Sequence, residues 1–383
     1  MDKQILANIK GAPDCAPTDQ TIRNQIISTL RHNFEAFGFL PLETAMLNPL
    51  ALLTNKYDQN AEIVREIYKL RDLGDRDLGL RFDLTVPFAK FIANNPQMRL
   101  PFKRYEIGKV WRNGPVKSGR AREFYQCDAD MVGVAGVHAE AEILALAVKC
   151  YLDLGITPTI KYGHRKLLPF TDAVISALDK MAKVSHADLI AELARQNMTP
   201  AEAETLISSV MNAPKCAELV DLETELAKLG IIKYFEYAPY LARGLNIYTG
   251  TVWEAFAKGS SMTSSMGGGG RYDKIIGNLI GHGEYPAVGI GFGLEPITAV
   301  LLEKQKSAQA HPIDVMLIPL GTEGFCQTYA NTLRSTGTRV LVYLGGKSIA
   351  KAFEYAASYG IPRCAIIGPD EASGKEIVYK EIK

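Results

Sequence analysis

Five short segments hold the residues whose chemistry could define this chain. Residues 241–254 set Arg243 beside Gly244, with Tyr248 further on, in an otherwise apolar run. A cation there is costly to bury without an anion, so the run is either a strand start with a surface arginine or an anion site. Residues 103–130 read as a hairpin: one strand ends at Arg112, a Gly/Pro/Ser loop follows, and a second strand starts near Arg122. Guanidinium groups fit phosphate oxygens bidentately and keep their charge, so the hairpin could clamp a triphosphate; it could equally be a solvated basic hairpin. In Leu80-Arg-Phe-Asp-Leu-Thr-Val-Pro87, alternation would put Arg81, Asp83 and Thr85 on one strand face. A carboxylate and a hydroxyl so spaced can receive an ammonium group, or simply face water at a sheet edge. Met266-Gly-Gly-Gly-Gly-Arg-Tyr-Asp273 permits close backbone approach to a ligand, or a flexible turn. Ala287-Val-Gly-Ile-Gly-Phe-Gly-Leu-Glu-Pro296 is weak evidence alone: it sits late in the chain, between strand-like runs, unlike a dinucleotide fingerprint.

The elements around these segments mix long helices with short strands. A helix is predicted from near Thr21, capped by Thr18 and Asp19, with Ile22, Ile26, Ile27, Leu30, Phe34 and Phe37 at helical spacing up to Gly38. A second is predicted from His138 to Leu154, and strands over 78–82, 103–111 and 124–132. Without regular alternation of strand and helix, this reads as an α+β fold with a mostly antiparallel sheet. From about Lys166 to Leu229 the residues Ala, Leu, Glu and Lys dominate without glycine, a small helical insertion. The predicted division is a core over 1–165 and 234–302, the insertion over 166–233, a polar linker over 303–312, and a C-terminal α/β unit over 313–383. In that last unit, strands at 314–318, 339–343 and 364–367 interleave with helices near 324–336 and 348–359.

The chain has 383 residues and net charge +1, so no global field draws it to nucleic acid or membrane. Its six cysteines form no CxxC pair, which points to neither a metal site nor a disulfide framework and fits a reducing, cytoplasmic setting. The N-terminus lacks the apolar core of a signal peptide, and no run approaches the roughly 18 apolar residues of a membrane helix.

Taken in order, the segments resemble class II aminoacyl-tRNA synthetases, and the loop at Arg243 is similar to the signature loop of histidyl-tRNA synthetases. The resemblance covers nearly the whole chain. It implies an antiparallel core flanked by helices and a C-terminal anticodon-binding domain. The implied reaction joins histidine to ATP as an adenylate, then passes it to the 3′ end of tRNA(His). By the same resemblance, Arg112 holds the α-phosphate, Arg120 the γ-phosphate, and Phe124 stacks on adenine. Gly291 and Gly293 let ATP lie against their strand. Arg243 holds the α-phosphate and the substrate carboxylate. Asp83 and Thr85 bind the amino group of L-histidine, Gln126 and Asp130 face it, Asp130 and Tyr248 pair with the imidazole nitrogens, and Gly268 passes beneath it. The implied cofactor is Mg²⁺ arriving with ATP, and the helix from Thr21 with Pro41 would form a homodimer interface.

Several positions depart from the family pattern. Gly114 stands where an acidic residue is common, Pro296 where an arginine is, Asn246 and Ile247 where Asp-Tyr is, and the chain ends before the usual closing element of the C-terminal domain. These departures give some weight to a second family resemblance, the non-catalytic regulatory subunit of ATP phosphoribosyltransferase.

Overall fold

The computed structural model describes residues 5–54, 62–116, 119–181, 184–242, 247–304, 313–346 and 348–382. They fall into two compact units, residues 1–15 with 23–303 and residues 16–22 with 304–383.

The first helix, α1 (Pro17–Ala36), starts before Thr21. Thr18 and Asp19 lie inside its first turn, and the Thr21 hydroxyl bonds the Pro17 carbonyl at 2.8 Å, so that turn is already helical. Gly38, with φ of +77°, ends the helix and leads to β1 (Leu40–Pro41). A small antiparallel sheet follows, made of β2 (Leu47–Pro49), β3 (Lys69–Arg71) and β4 (Asp77–Leu80) in the order β2-β4-β3. The short helices α2 (Leu50–Thr54) and α3 (Glu62–Arg65) connect it.

The strand predicted through Phe82 is wrong in its second half. β4 stops at Leu80, and Thr85 is the first residue of α4 (Thr85–Ala93). Asp83 causes the change: its Oδ1 accepts the Val86 N–H at 3.0 Å, satisfying a donor that a helix start leaves open. Arg81, Asp83 and Thr85 therefore do not share a strand face.

The hairpin of β5 (Phe102–Trp111) and β6 (Glu123–Val132) lies within a residue of its predicted bounds. α5 (Val137–Asp153) ends at Gly155, whose φ is +70°. β7 (Pro158–His164) leads into the helical insertion, α6 (Asp172–Leu178), α7 (His186–Ala194), α8 (Pro200–Met211) and α9 (Ala217–Lys228). Ser185 caps α7, and Thr199 with Glu202 makes a reciprocal capping box on α8. Leu178, Leu189, Leu193, Ala203 and Ile207 give the insertion its own apolar core. The chain returns through β8 (Phe235–Tyr237), β9 (Thr251–Ala257), β10 (Gly267–Arg271), α10 (Ile275–Ile280), β11 (Ala287–Gly293) and α11 (Leu294–Lys304). The four-glycine segment is thus a strand, and the Gly-x-Gly-x-Gly run is a strand followed by a helix rather than by another strand.

The described strands form a sheet in the order β1-β5-β6-β11-β10-β9-β7-β8, parallel only in the outer pairs β1/β5 and β7/β8. Phe34 and Tyr151 pack their rings 5.7 and 5.3 Å from that of Phe292, so α1 and α5 cover one sheet face.

In the second unit, β12 (Val315–Pro319), α12 (Glu323–Ser335), β13 (Val340–Val342), α13 (Ile349–Ser358) and β14 (Arg363–Ile367) follow the predicted alternation. β12 pairs in parallel with β13 and β14. α14 (Pro369–Ala372) and β15 (Tyr379–Glu381), antiparallel to β14, were not anticipated; Gly374 and scattered charges hide so short an edge strand. Most of the predicted linker, residues 305–312, lies outside the described residues.

Candidate active site

Strand alternation sends Gln126, Asp128 and Asp130 to one face of β6 and buries Cys127, Ala129 and Met131 on the other. Register then builds a layer across the sheet. Asp130, Asp128 and Gln126 sit opposite Arg104, Glu106 and Gly108 of β5, and opposite Gly289, Gly291 and Gly293 of β11. Gly291 pairs with Gly268 of β10, which pairs with Glu254 of β9. The glycines are a steric requirement. A Cβ on Gly289 would lie 1.9 Å from Asp130 Oδ1, one on Gly291 would lie 2.7 Å from Asp128 Oδ1, and one on Gly108 would lie 2.2 Å from an Arg81 terminal nitrogen.

Arg104 is fully buried at the centre of this layer. Its guanidinium reaches Asp130 Oδ2 at 2.7 Å, Glu106 Oε2 at 3.7 Å and the Leu84 carbonyl at 3.1 Å, and lies 4.3 Å from the Phe88 ring centre. Arg81 donates to Glu106 at 2.6 Å and to the Thr44 carbonyl at 2.9 Å. The Tyr272 hydroxyl donates to Asp130 Oδ1 at 2.5 Å. Burial pushes Asp83 upward despite the Val86 N–H and Arg112. It pushes Asp128 well above the usual carboxylate range, with Asp130 adding to the effect. Burial also raises Asp130, although Arg104 and Tyr272 pull it back.

Over this layer opens a cavity of about 530 Å³, lined by Asp83, Thr85, Arg112, Arg120, Phe124, Gln126, Asp128, Asp130, Tyr248, Gly268, Gly291 and Gly293. That volume suits a small-molecule ligand. The structure therefore gathers eleven predicted residues, carboxylates and guanidinium groups together, around one cavity. Arg243, with Gly244 and Asn246, lies outside the described residues. Arg112 donates through Nε to the Phe82 carbonyl at 2.9 Å and lies 5.3 Å from the Phe124 ring centre. Tyr248 lies over Gly270, where a Cβ would meet its ring at 2.8 Å. Ile247 is buried in an apolar cluster with Phe88, Ile92, Tyr272 and Ile275.

A smaller slot of about 120 Å³ lies beside Phe124, bounded by Arg112, Arg120, Gly293, Glu66, Gly114 and Pro296. The Glu66 carboxylate fills the place of a side chain at position 114: a Cβ on Gly114 would lie 2.3 Å from Glu66 Oε1. The Asn113 N–H holds that arm by donating to the Glu66 carbonyl at 2.8 Å. Glu295, next to Pro296, is bound by Arg23 at 2.8 Å and by the Tyr125 N–H at 3.2 Å.

Sequence reasoning missed Arg104, Glu106, Asp128, Tyr272, Glu254 and Glu66. Asp128 had a signal, since it falls between Gln126 and Asp130 at strand spacing. Tyr272 closes the four-glycine segment but was not singled out within it, and Glu66 comes from a remote segment and had no signal. Among the described residues, His164, Cys216 and Glu218 bring possible metal-ligand atoms within 4.8 Å of one another. Lys166 already serves that group: its N–H donates to His164 Nδ1 at 3.1 Å and its ammonium pairs with Glu218.

The histidyl-tRNA synthetase family profile matches residues 11–199 and 171–297, and an anticodon-binding domain profile matches 314–383. Histidine–tRNA ligase 1 of Bacillus cereus is 42% identical, over 99% of this chain and 96% of its own. Histidine–tRNA ligase 2 of Shouchella clausii is 39% identical, over 98% and 96%. Among solved structures, a histidyl-tRNA synthetase from Nostoc superposes with a TM-score of 0.80 at 26% identity, over 98% of this chain and 94% of that one. A Bacillus halodurans structure, described as an ATP phosphoribosyltransferase regulatory subunit/histidyl-tRNA synthetase, shares the fold with a TM-score of 0.74 at 18% identity, over 95% and 98%.

The buried carboxyl of Asp128 has a consequence for stability. An acid raised in the folded state costs nothing at low pH, where it is protonated folded or unfolded. Its cost appears as pH climbs from the ordinary 3.8 through the raised value. Asp128→Asn removes that cost. The variant should therefore melt above the wild type near pH 8, and the gap should close toward about pH 4. A thermal-melt difference that stays constant across that span would contradict the charge assignment.

Proposed function

The chain belongs to the histidyl-tRNA synthetase family, and from that membership we propose that it is a histidine–tRNA ligase. One observation carries the reading: a single cavity is lined both by buried carboxylates and by two guanidinium groups with the aromatic ring of Phe124. That combination suits an amino acid meeting a nucleotide triphosphate. In the proposed reaction, a carboxylate oxygen of L-histidine attacks the α-phosphorus of ATP and pyrophosphate leaves. The terminal ribose hydroxyl of tRNA(His) then attacks the acyl carbon and AMP leaves. Charge builds on the α-phosphate oxygens, so fixed guanidinium groups aimed there lower the barrier. We assign that role to Arg112 and, by resemblance, to Arg243, with Arg120 on the γ-phosphate. Mg²⁺ would enter with the triphosphate and screen its charge, held mainly by phosphate oxygens. The remaining contribution is positioning, which this bare-backbone floor permits.

Three departures from the family pattern are met by neighbours in this reading. Glu66 supplies the carboxylate that position 114 lacks and accepts the adenine amino group. Pro296 closes the slot beside Phe124 with an apolar ring in place of a cation. Tyr272 supplies the phenol hydroxyl absent at Ile247. We retain the division into core, insertion, linker and C-terminal unit, with residues 313–383 contacting the anticodon. The family match over 314–383 favours this over the regulatory-subunit reading. We place the protein in the cytoplasm, where its six free thiols would stay reduced. No helix among the described residues is long and apolar enough to cross a membrane.

We also propose a homodimer, with a shifted interface. Ile26, Leu30 and Phe34 of α1 are buried within the chain, whereas Leu40 of β1 and Met46 and Leu47 at the start of β2 expose large apolar surface. Light scattering at micromolar concentration should give twice the mass of one chain; a monomer there would remove the dimer.

Wild-type protein should catalyse histidine-dependent ATP–pyrophosphate exchange. Arg243→Ala should lose about 10²-fold or more of that rate, the usual cost of one preorganised donor, with a far smaller effect on histidine binding. Arg243→Lys should restore only part, since an ammonium lacks the planar fork. Histidine binding without exchange in the wild type would favour the regulatory subunit. For the slot, Glu66→Gln should raise KM for ATP roughly tenfold while KM for histidine holds, as expected for one charged hydrogen bond. An unchanged KM for ATP would leave the adenine without this acceptor.

A further inference from the structure

Three buried acceptors lining the cavity lack a hydrogen-bond partner among the described residues, Asp83 Oδ2, Gln126 Oε1 and Asp130 Oδ2, and of these only Asp130 Oδ2 has a cation beside it, Arg104 at 2.7 Å. Unmet acceptors of this kind cost stability, so they call for a ligand donor. Asp128 lies in the same layer, between Gln126 and Asp130 along β6 and within electrostatic reach of Asp83. Its Oδ1 accepts from Gln126 Nε2 at 3.4 Å, which turns Gln126 Oε1 away from Asp128 and leaves it open. Its carboxylate also overhangs Gly291, where no side chain could stand. Asp130 is differently placed, with one oxygen taken by Tyr272 and the other beside Arg104. The buried layer holds four carboxylates, Asp83, Glu106, Asp128 and Asp130, but only two buried guanidinium groups, Arg81 and Arg104. The deficit calls for a cation with several donors. An ammonium offers three.

Resting on the ligase reading, we propose that Asp128 completes, with Asp83 Oδ2 and Gln126 Oε1, the receptor for the α-ammonium group of the amino-acid substrate. Asp128 thus binds the substrate's backbone end and orients Gln126, and it does not read the side chain. Burial, with the neighbouring Asp130, holds its carboxyl above the usual range in the empty pocket, and a cation beside it would pull it back down. The stability that Asp128 costs at neutral and higher pH is the counterpart of this role.

The test measures calorimetric affinities of full-length wild type and Asp128→Asn for three ligands: L-histidine; histidinol, which keeps the amine and lacks the carboxylate; and imidazole-4-propanoate, which lacks the amine. Histidine and histidinol should both weaken about tenfold or more, the cost of a charge-assisted hydrogen bond, while imidazole-4-propanoate should be unchanged. ATP affinity in the same samples reports an intact cavity, and Asp128→Ser gives the same comparison if the asparagine variant folds poorly. Equal weakening of all three ligands, or no weakening of histidine, overturns the proposal while leaving the ligase reading in place. Wild-type protein that fails to bind histidine overturns both.

Discussion

The fully buried guanidinium of Arg104 is the constraint around which the core of the first unit is arranged. A cation so placed demands anions, and Asp130 and Glu106 provide them from adjacent positions across one hairpin. Removing one partner of such a group typically costs roughly 3–5 kcal/mol, since the other charge is left uncompensated. The demand spreads by register. Carboxylates leaning off β6 occupy the space above β11, so Gly289 and Gly291 can carry no side chain. Gly108 yields likewise to Arg81, which must reach Glu106. The glycine-rich floor of the cavity is therefore dictated by the charge layer before any ligand is considered.

That layer is unbalanced, and the imbalance separates stability from function. Asp130 is neutralised by Arg104 and Tyr272, so it holds β6 to α10's side of the sheet through the Tyr272 ring. Asp83 serves two ends: one oxygen fixes the start of α4, the other has no hydrogen-bond partner among the described residues. The same side chain that bonds the first turn of α4 thus presents its second, unmet oxygen to the cavity. In the proposed reaction, the ammonium supplies the charge that the protein leaves out, and the guanidinium groups meet the phosphates.

Much of this was legible in the sequence, for physical reasons that differ by element. Residues at strand spacing in 103–130 gave the hairpin almost to the residue, because period two and a Gly/Pro loop leave little freedom. The same rule failed at 80–87. Alternation there was real, but the competing signal was Asp83 capping the helix that Thr85 begins, a local hydrogen bond that overrides a short periodic run. Arg104 and Glu106 were hidden because a charged pair within a strand normally faces water. Only the partner strand reveals that this one is buried.

The departures at Gly114, Pro296 and Ile247 show why reading single positions understates a site. A side chain's useful atoms sit several ångströms from its backbone, so one volume can be reached from several places in the chain. Glu66, just after α3, brings a carboxylate against Gly114 where a Cβ on that glycine would lie 2.3 Å from Glu66 Oε1. Tyr272 shares an apolar cluster with Ile247, while its hydroxyl reaches Asp130. In the proposed site, the residue present at one position leaves the room or the surface that its neighbour uses. Loss and replacement are thus sterically coupled, and restoring the family residue at 114 alone would expel Glu66 rather than add to it.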